Sequence, residues 1–99
     1  MSGYVLSRAA QADLDGIWDY TEKTWNQDQA ERYINSIKDA CEALASRRKF
    51  GRNAEQFRAG YFRHAIGSHF IFYTLSDGGD VQVMRILHRR MDLKSRLEE

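Results

Sequence analysis

The sequence predicts an α+β fold in which an N-terminal helical hairpin packs on one face of a small, mainly antiparallel sheet. Three observations predict it. Apolar residues recur at helical spacing through the first half, the apolar period changes to two after Tyr61, and short turn-forming runs punctuate the chain. The expected element order is β-α-α-β-β-β-α, the arrangement of a helical layer on a sheet.

Tyr4-Val5-Leu6 is a short β-prone run ending at Ser7, a residue suited to cap a helix N-terminus. Ala10, Leu14, Ile17, Trp18, Thr21 and Trp25 then share one face at 100° per residue, which predicts an amphipathic helix over 8–25. Gly16 weakens it by about 1 kcal/mol relative to alanine without ending it. Asn26, with Gln29 three residues on, reads as an N-cap with a partial capping box. A second stripe follows through Ala30, Tyr33, Ile34, Ile37, Cys41 and Leu44, and both tryptophans are expected in the core of the hairpin. The second helix should stop near Arg47–Lys49, with Gly51 as terminator.

Tyr61–Ile66, His69–Leu75 and Val81–His88 alternate as strands, separated by Gly67-Ser68 and by Asp77-Gly78-Gly79-Asp80. Tyr4–Leu6 is available as a fourth strand. Asp92 can cap a last short helix carrying Leu93 and Leu97.

The turn lengths predict a register. Pairing Ile66 with His69 sets Arg63 opposite Phe72, and pairing Ser76 with Val81 sets Phe72 opposite Arg85, so the three form one row. Phe62, Ile66, Ile71, Tyr73, Leu75, Met84 and Ile86 fall on the other face, the more apolar one, which should meet the hairpin. The arginine-bearing face also carries Tyr61, Phe70, Val83 and Leu87. It is expected to be bare and shielded by another polypeptide. The plainer alternative is that its arginines stack on aromatic neighbours and pair with Glu55 or Asp92.

Composition bounds the function. At 99 residues the chain should be one domain over 1–99, and 42% apolar with 29% charged residues is ordinary for a globular protein. Residues 1–44 carry four basic and eight acidic side chains, while residues 45–99 carry eleven and six, so a net charge of +1 conceals a basic second half that fits an anionic partner and equally a solvated surface of uneven sign. One cysteine, Cys41, excludes an internal disulfide and favours a reducing compartment. There is no apolar run near the roughly 18 residues that cross a bilayer, and Met1–Arg8 lacks the pattern of a leader, so a cytoplasmic location without membrane contact is expected. Cys41, His64, His69 and His88 have no metal-site spacing, and no phosphate-binding glycine motif is present, so neither metal nor cofactor is expected. The run Arg47-Arg48-Lys49 with Arg52 reads better as a helix end favoured by the dipole than as a phosphate contact.

The closing segment Arg85-Ile86-Leu87-His88-Arg89-Arg90-Met91-Asp92 resembles the signature of ParE toxins, a branch of the RelE/ParE superfamily. Ala12-Asp13-Leu14 with Ile17 and Tyr20, Gln29-Ala30 with Tyr33, Arg58 with Gly60-Tyr61-Phe62-Arg63, and His69-Phe70-Ile71-Phe72-Tyr73 fit the same family in the same order. The resemblance implies the toxin of a type II toxin–antitoxin pair. It implies DNA gyrase as target, a ParD-type antitoxin as partner in a hetero-oligomer, DNA contact only through antitoxin or gyrase, and inhibition without catalysis. Such antitoxins carry a segment that orders on the toxin. The expected antitoxin surface is Tyr61, Arg63, Phe70, Phe72, Val83, Arg85 and Leu87. The expected target surface is Arg85, His88, Arg89, Arg90, Lys94 and Arg96.

Two alternatives carry different outcomes. RelE relatives cut messenger RNA on the ribosome with basic side chains and an acid/base on the sheet, and Arg63 and Arg85 fall roughly where two such arginines would sit. Against cleavage, His88 should project to the opposite face, Arg89 and Arg90 replace an aromatic acid/base, and only Lys49 remains of a lysine-rich approach to the sheet. His88 then bridges the sheet end and the last helix. A non-toxic co-repressor is the other alternative.

Overall fold

The computed structural model describes residues 3–98. Met1 and Ser2, part of the segment read above for a leader, and Glu99, the end of the expected 1–99 domain, lie outside the described residues. The order is β1 (Tyr4–Leu6), α1 (Arg8–Thr24), α2 (Gln27–Ala45), β2 (Arg52–Asn53), β3 (Phe62–Ile66), β4 (His69–Leu75), β5 (Val81–His88) and α3 (Leu93–Glu98). The strands form one sheet in the order β1-β5-β4-β3-β2. Only β1, parallel to β5, departs from antiparallel pairing. The expected α+β architecture holds, with β2 as an added two-residue edge.

Capping starts both long helices where the sequence places them. The Ser7 hydroxyl accepts the Ala10 N–H at 3.0 Å, and the Asn26 side chain accepts the Gln29 N–H at 2.8 Å. Ala10, Leu14 and Ile17 of α1 and Ile34, Ile37, Cys41 and Leu44 of α2 are buried together against Ile71, Tyr73, Val81, Val83 and Ile86 of the sheet. The Thr21 hydroxyl joins this face by donating to the Ile17 carbonyl at 2.7 Å. Trp18 packs at the core's rim, but Trp25 ends α1 and is 71% exposed, so only one tryptophan belongs to the hairpin core. No described helix is long and apolar enough to cross a membrane.

The α2 terminus differs from expectation. Its left-handed residue is Arg47, with φ 65°, not a glycine. A side chain there costs about 1 kcal/mol or more. The Arg47 guanidinium answers this by donating to the Gly79 carbonyl at 2.8 Å and the Leu44 carbonyl at 3.4 Å, tying the helix end to the β4–β5 turn. The helix-end reading of this run is correct for Arg47. Gly51 serves close approach instead, since a Cβ on it would stand 2.9 Å from the Arg63 carbonyl.

The predicted row is present: Arg63 pairs with Phe72, and Phe72 with Arg85. The second turn is reached differently. Leu75, not Ser76, pairs with Val81, and a bulge beside Phe72 restores the register by setting Tyr73 opposite Val83 and leaving Met84 as the extra residue. That insertion exchanges two neighbours. Val83 lies in the helix-side core and Met84 packs on the opposite face, the reverse of the expectation. Leu75, expected on the helix side, is exposed.

The second face is not bare. Ala54, Tyr61, Phe72, Leu87 and Leu97 are buried there, with Phe57, Phe70, Met84 and Leu93 around them. Two pieces of the chain close it, α3 and the turn around 54–60. Ser95 donates its N–H to the Asp92 side chain at 3.3 Å, so the expected cap forms. The Arg58 guanidinium donates to the Leu97 carbonyl at 2.7 Å and Arg85 to the Arg96 carbonyl at 3.3 Å, so two cations hold the helix where its C-terminal carbonyls are orphaned.

Candidate functional site

The residues singled out for function separate into three groups. Phe72, Val83 and Leu87 are buried at 0–1% exposure, and Tyr61 is nearly so. They hold cores together and present no surface to an antitoxin in this conformation. The physical reason is the cover supplied by Leu93 and Leu97, for Val83 the bulge at Met84.

The second group is the arginine–aromatic ladder on the α3 side of the sheet. The Arg63 guanidinium carbon lies 4.8 Å from the Phe70 ring centre and 5.3 Å from that of Phe57, and Arg89 lies 5.5 Å from Phe70. Phe57 meets Phe72 edge-on at 5.8 Å. Arg63 thus stacks as the plainer reading has it. Its row-mate Arg85 pairs with an aspartate, but with Asp13 rather than Asp92. The Asp13 carboxylate accepts Arg85 Nε at 2.8 Å and Nη2 at 3.0 Å, and also the Ile86 N–H at 2.9 Å. This fork uses both carboxylate oxygens and seals the part of β5 that extends past β1. Arg85 is therefore a clamp between α1, β5 and α3. Arg90, Lys94 and Arg96 are exposed, as is Arg89 with its guanidinium over Phe70, and none has a carboxylate within ion-pair distance among the described residues.

The third group gathers around His88, expected in the target surface, and includes residues not anticipated as a site. A groove of about 850 Å³ runs between the exposed ends of α1 and α2 and the ends of β4 and β5. Asp13, Gly16, Ile17, Tyr20 and Trp25 line one side, Tyr33, Ser68, His69, His88 and Met91 the other. Tyr20 and Trp25 stand 71% exposed at its lip, and Met91 is exposed on the facing side. At its end the Tyr33 hydroxyl sits 2.7 Å from His69 Nδ1, accepts the Ser68 N–H at 3.0 Å and lies 3.3 Å from the Ile66 carbonyl. The hairpin tip closes on this hydroxyl: Gly67 has φ +54°, and a Cβ on it would fall 2.7 Å from the Tyr33 oxygen. His88, paired with His69 across the strands, meets it edge-on at 5.2 Å and accepts the Arg90 N–H on Nδ1 at 3.1 Å. His88 does face away from the arginine row, as the register required, and joins β5 to the turn leading into α3.

Electrostatics follow burial here. Desolvation pushes His69 down to about 4, assisted by His88 and opposed by Asp13, so its ring is neutral at neutral pH. Burial raises Tyr33, against the Ser68 N–H that favours its anion. Neither group is poised to exchange a proton near neutrality. In the sequence Tyr33 stands out as a stripe residue and as part of the family resemblance, and nothing local joins it to the Gly67 turn 34 residues on.

Comparison with known proteins agrees with this geometry. A family model described as ParE toxin of type II toxin-antitoxin system, parDE, matches residues 4–93. The chain is 42% identical over 96 residues to Toxin ParE1 of Mycobacterium tuberculosis, covering 97% of this chain and 98% of that one. It is 41% identical over 97 residues to Toxin ParE1 of Caulobacter vibrioides, covering 98% and 99%. Among solved structures, a chain from the chromosomal ParDE TA system of P. aeruginosa superposes with a TM-score of 0.75 at 22% identity, covering 89% of this chain and 96% of that one, which supports the fold. On the family model and these relatives, the chain belongs to the ParE toxin family of type II toxin–antitoxin systems.

Proposed function

We propose that this ParE-type toxin inhibits DNA gyrase without itself catalysing a reaction, and that a ParD-type antitoxin neutralises it. The observation that carries the target reading is the exposed cationic end of the chain. Arg89, Arg90, Lys94 and Arg96 follow one another without carboxylate partners among the described residues, on a section anchored by Arg58 and Arg85. Exposed unpaired cations on a rigid support steer and bind an anionic partner. Arg85 and His88 serve this surface indirectly, by holding it.

The antitoxin surface of this reading is the groove rather than the sealed sheet face. Its lip of Tyr20, Trp25 and Met91 is apolar and exposed, and aromatic side chains of this kind anchor a segment that orders on binding. Arg63 and Phe70 remain reachable at the far side of the sheet and can extend the contact. The neighbouring P. aeruginosa structure is of a ParDE system, which favours a ParD-type partner here.

Messenger RNA cleavage has less support. Arg63 and Arg85 share a row, but Arg85 is committed to Asp13, and the histidines lie across the sheet from both. The deciding experiment is DNA supercoiling by gyrase in the presence of purified toxin. Inhibition with accumulated cleaved DNA is expected, weakened by the combined Arg90→Ala and Lys94→Ala changes. Unaltered supercoiling together with cuts in translated messenger RNA would replace this reading with the ribonuclease one.

A further inference from the structure

We propose that the His69–His88 pair is the subsite for a carboxylate side chain carried by the antitoxin segment that fills the groove. The proposal rests on the reading of the groove as the antitoxin surface and adds the chemistry of its polar end.

The ring hydrogens are assigned from the hydrogen-bond distances. His88 Nδ1 accepts the Arg90 N–H, so the neutral ring carries its hydrogen on Nε2. The Tyr33 hydroxyl accepts from Ser68, and its own hydrogen has its shortest acceptor in His69 Nδ1 at 2.7 Å, against 3.3 Å to the Ile66 carbonyl. His69 then also carries its hydrogen on Nε2. Two N–H donors result, on rings that sit opposite one another in the β4–β5 ladder and line the same groove. No acceptor for either Nε2 is found among the described residues. The carboxylate that shares the groove, Asp13, is occupied by Arg85 and the Ile86 N–H.

Paired donors without an acceptor, beside an apolar aromatic lip, fit an acidic residue flanked by apolar ones. A carboxylate is favoured over a neutral carbonyl because it has two oxygens for two donors. The charged and titratable groups facing the pair are Asp13 and Tyr20 from α1 and Tyr33 from α2, with Arg85 on the other face of the sheet reaching the groove only through Asp13. Burial and mutual repulsion keep His69 neutral in the empty groove. A bound carboxylate favours the protonated His69 ring, whose Nδ1 takes the proton as the Tyr33 hydroxyl turns to the Ile66 carbonyl at 3.3 Å, so its affinity rises on acidification.

Acetate is the probe. The imidazole ¹⁵N resonances of His69 and His88 are followed in the full-length toxin while sodium acetate replaces sodium chloride at constant ionic strength. A saturable shift of both rings is expected, larger at pH 6 than at pH 8. His88→Leu should lower acetate affinity about tenfold, the loss of one hydrogen bond to a charged group, and His88→Gln, which retains an N–H, should restore most of it. The absence of a saturable shift in the wild-type chain overturns the proposal without recourse to any variant. So does an equal response to chloride and phosphate, which marks an adventitious ion only. The readout is independent of toxicity: a toxin that fails the gyrase assay yet binds acetate loses the functional reading and keeps the site.

Discussion

The two faces of the sheet are closed by very different amounts of structure. Under the hairpin, side chains from two helices of 17 and 19 residues meet Ile71, Tyr73, Val81, Val83 and Ile86. Under α3, a six-residue helix supplies Leu93 and Leu97, and the turn around 54–60 supplies Ala54 and Phe57. Both faces reach zero exposure, at Ile71 on one side and Phe72 on the other. Equal burial therefore does not mean equal support. A helix this short is unstable on its own, so packing and the arginine ties must hold it.

The largest expected effect separates the two covers. Truncating Ile37, central to the hairpin face, should cost about 4 kcal/mol, and truncating Leu97 about 2 kcal/mol, the upper and lower parts of the usual range for such changes. Urea unfolding measures both. On a domain of this size the first corresponds to a fall in Tm of roughly 16–32 °C. Leu97→Ala should also increase binding of a hydrophobic dye, because Phe72 and Leu87 become reachable, while the far-ultraviolet circular dichroism is kept. Equal costs for the two changes would show that α3 is as integral to the fold as the hairpin.

The same comparison explains which parts were legible in the sequence. The hairpin face announced itself through seventeen and more residues of periodicity and two side-chain caps. The row Arg63–Phe72–Arg85 followed from turn lengths, although the bulge reached it by a different pairing at Leu75. That bulge was hidden because Val83 and Met84 are both apolar, so alternation reads equally well with either one inward. The cover of the second face was hidden because Leu93 and Leu97 give one turn of periodicity, too little to tell a packed helix from an exposed one. Arg85 and Asp13 lie 72 residues apart, and no local pattern joins them. Trp25 was placed inward by its spacing, but α1 ends before it, and a residue past the last turn no longer follows the helical face. The second face was expected to be bare, and α3 with the turn around 54–60 supplies the cover instead.

A smaller effect sharpens the contrast within the arginine row. Removal of Arg85 leaves the Asp13 carboxylate, only 15% exposed, with the Ile86 N–H as its remaining partner. Arg85→Ala should cost about 2 kcal/mol. Arg63 stacks on two rings near solvent, and Arg63→Ala should cost about 1 kcal/mol or less. A double-mutant cycle of Arg85→Ala with Asp13→Ala, read by urea unfolding, should return a coupling of about 1–2 kcal/mol. No coupling would mean that the fork is incidental and that α1 and β5 are held by apolar contacts alone.

The smallest effect distinguishes the faces by pH. His69 belongs to the hairpin side of the sheet, and its ring is pushed from 6.5 down to about 4 by burial and by His88. The unfolded chain takes up a proton on this ring near pH 6.5, before the folded chain does. Stability from this group is therefore full above about 6.5, falls as the pH drops from there, and levels off below about 4. Its size is limited by the ring's partial exposure to solvent. The arginine ladder on the other face keeps its charge throughout this range and adds no slope of its own. Tm measured from pH 7 to pH 4 should thus decline less in His69→Gln than in the wild-type chain, while Arg63→Ala should lower Tm by the same amount at every pH. An unchanged slope in His69→Gln would place the acid sensitivity elsewhere and remove the distinction between a titrating face and a permanently charged one.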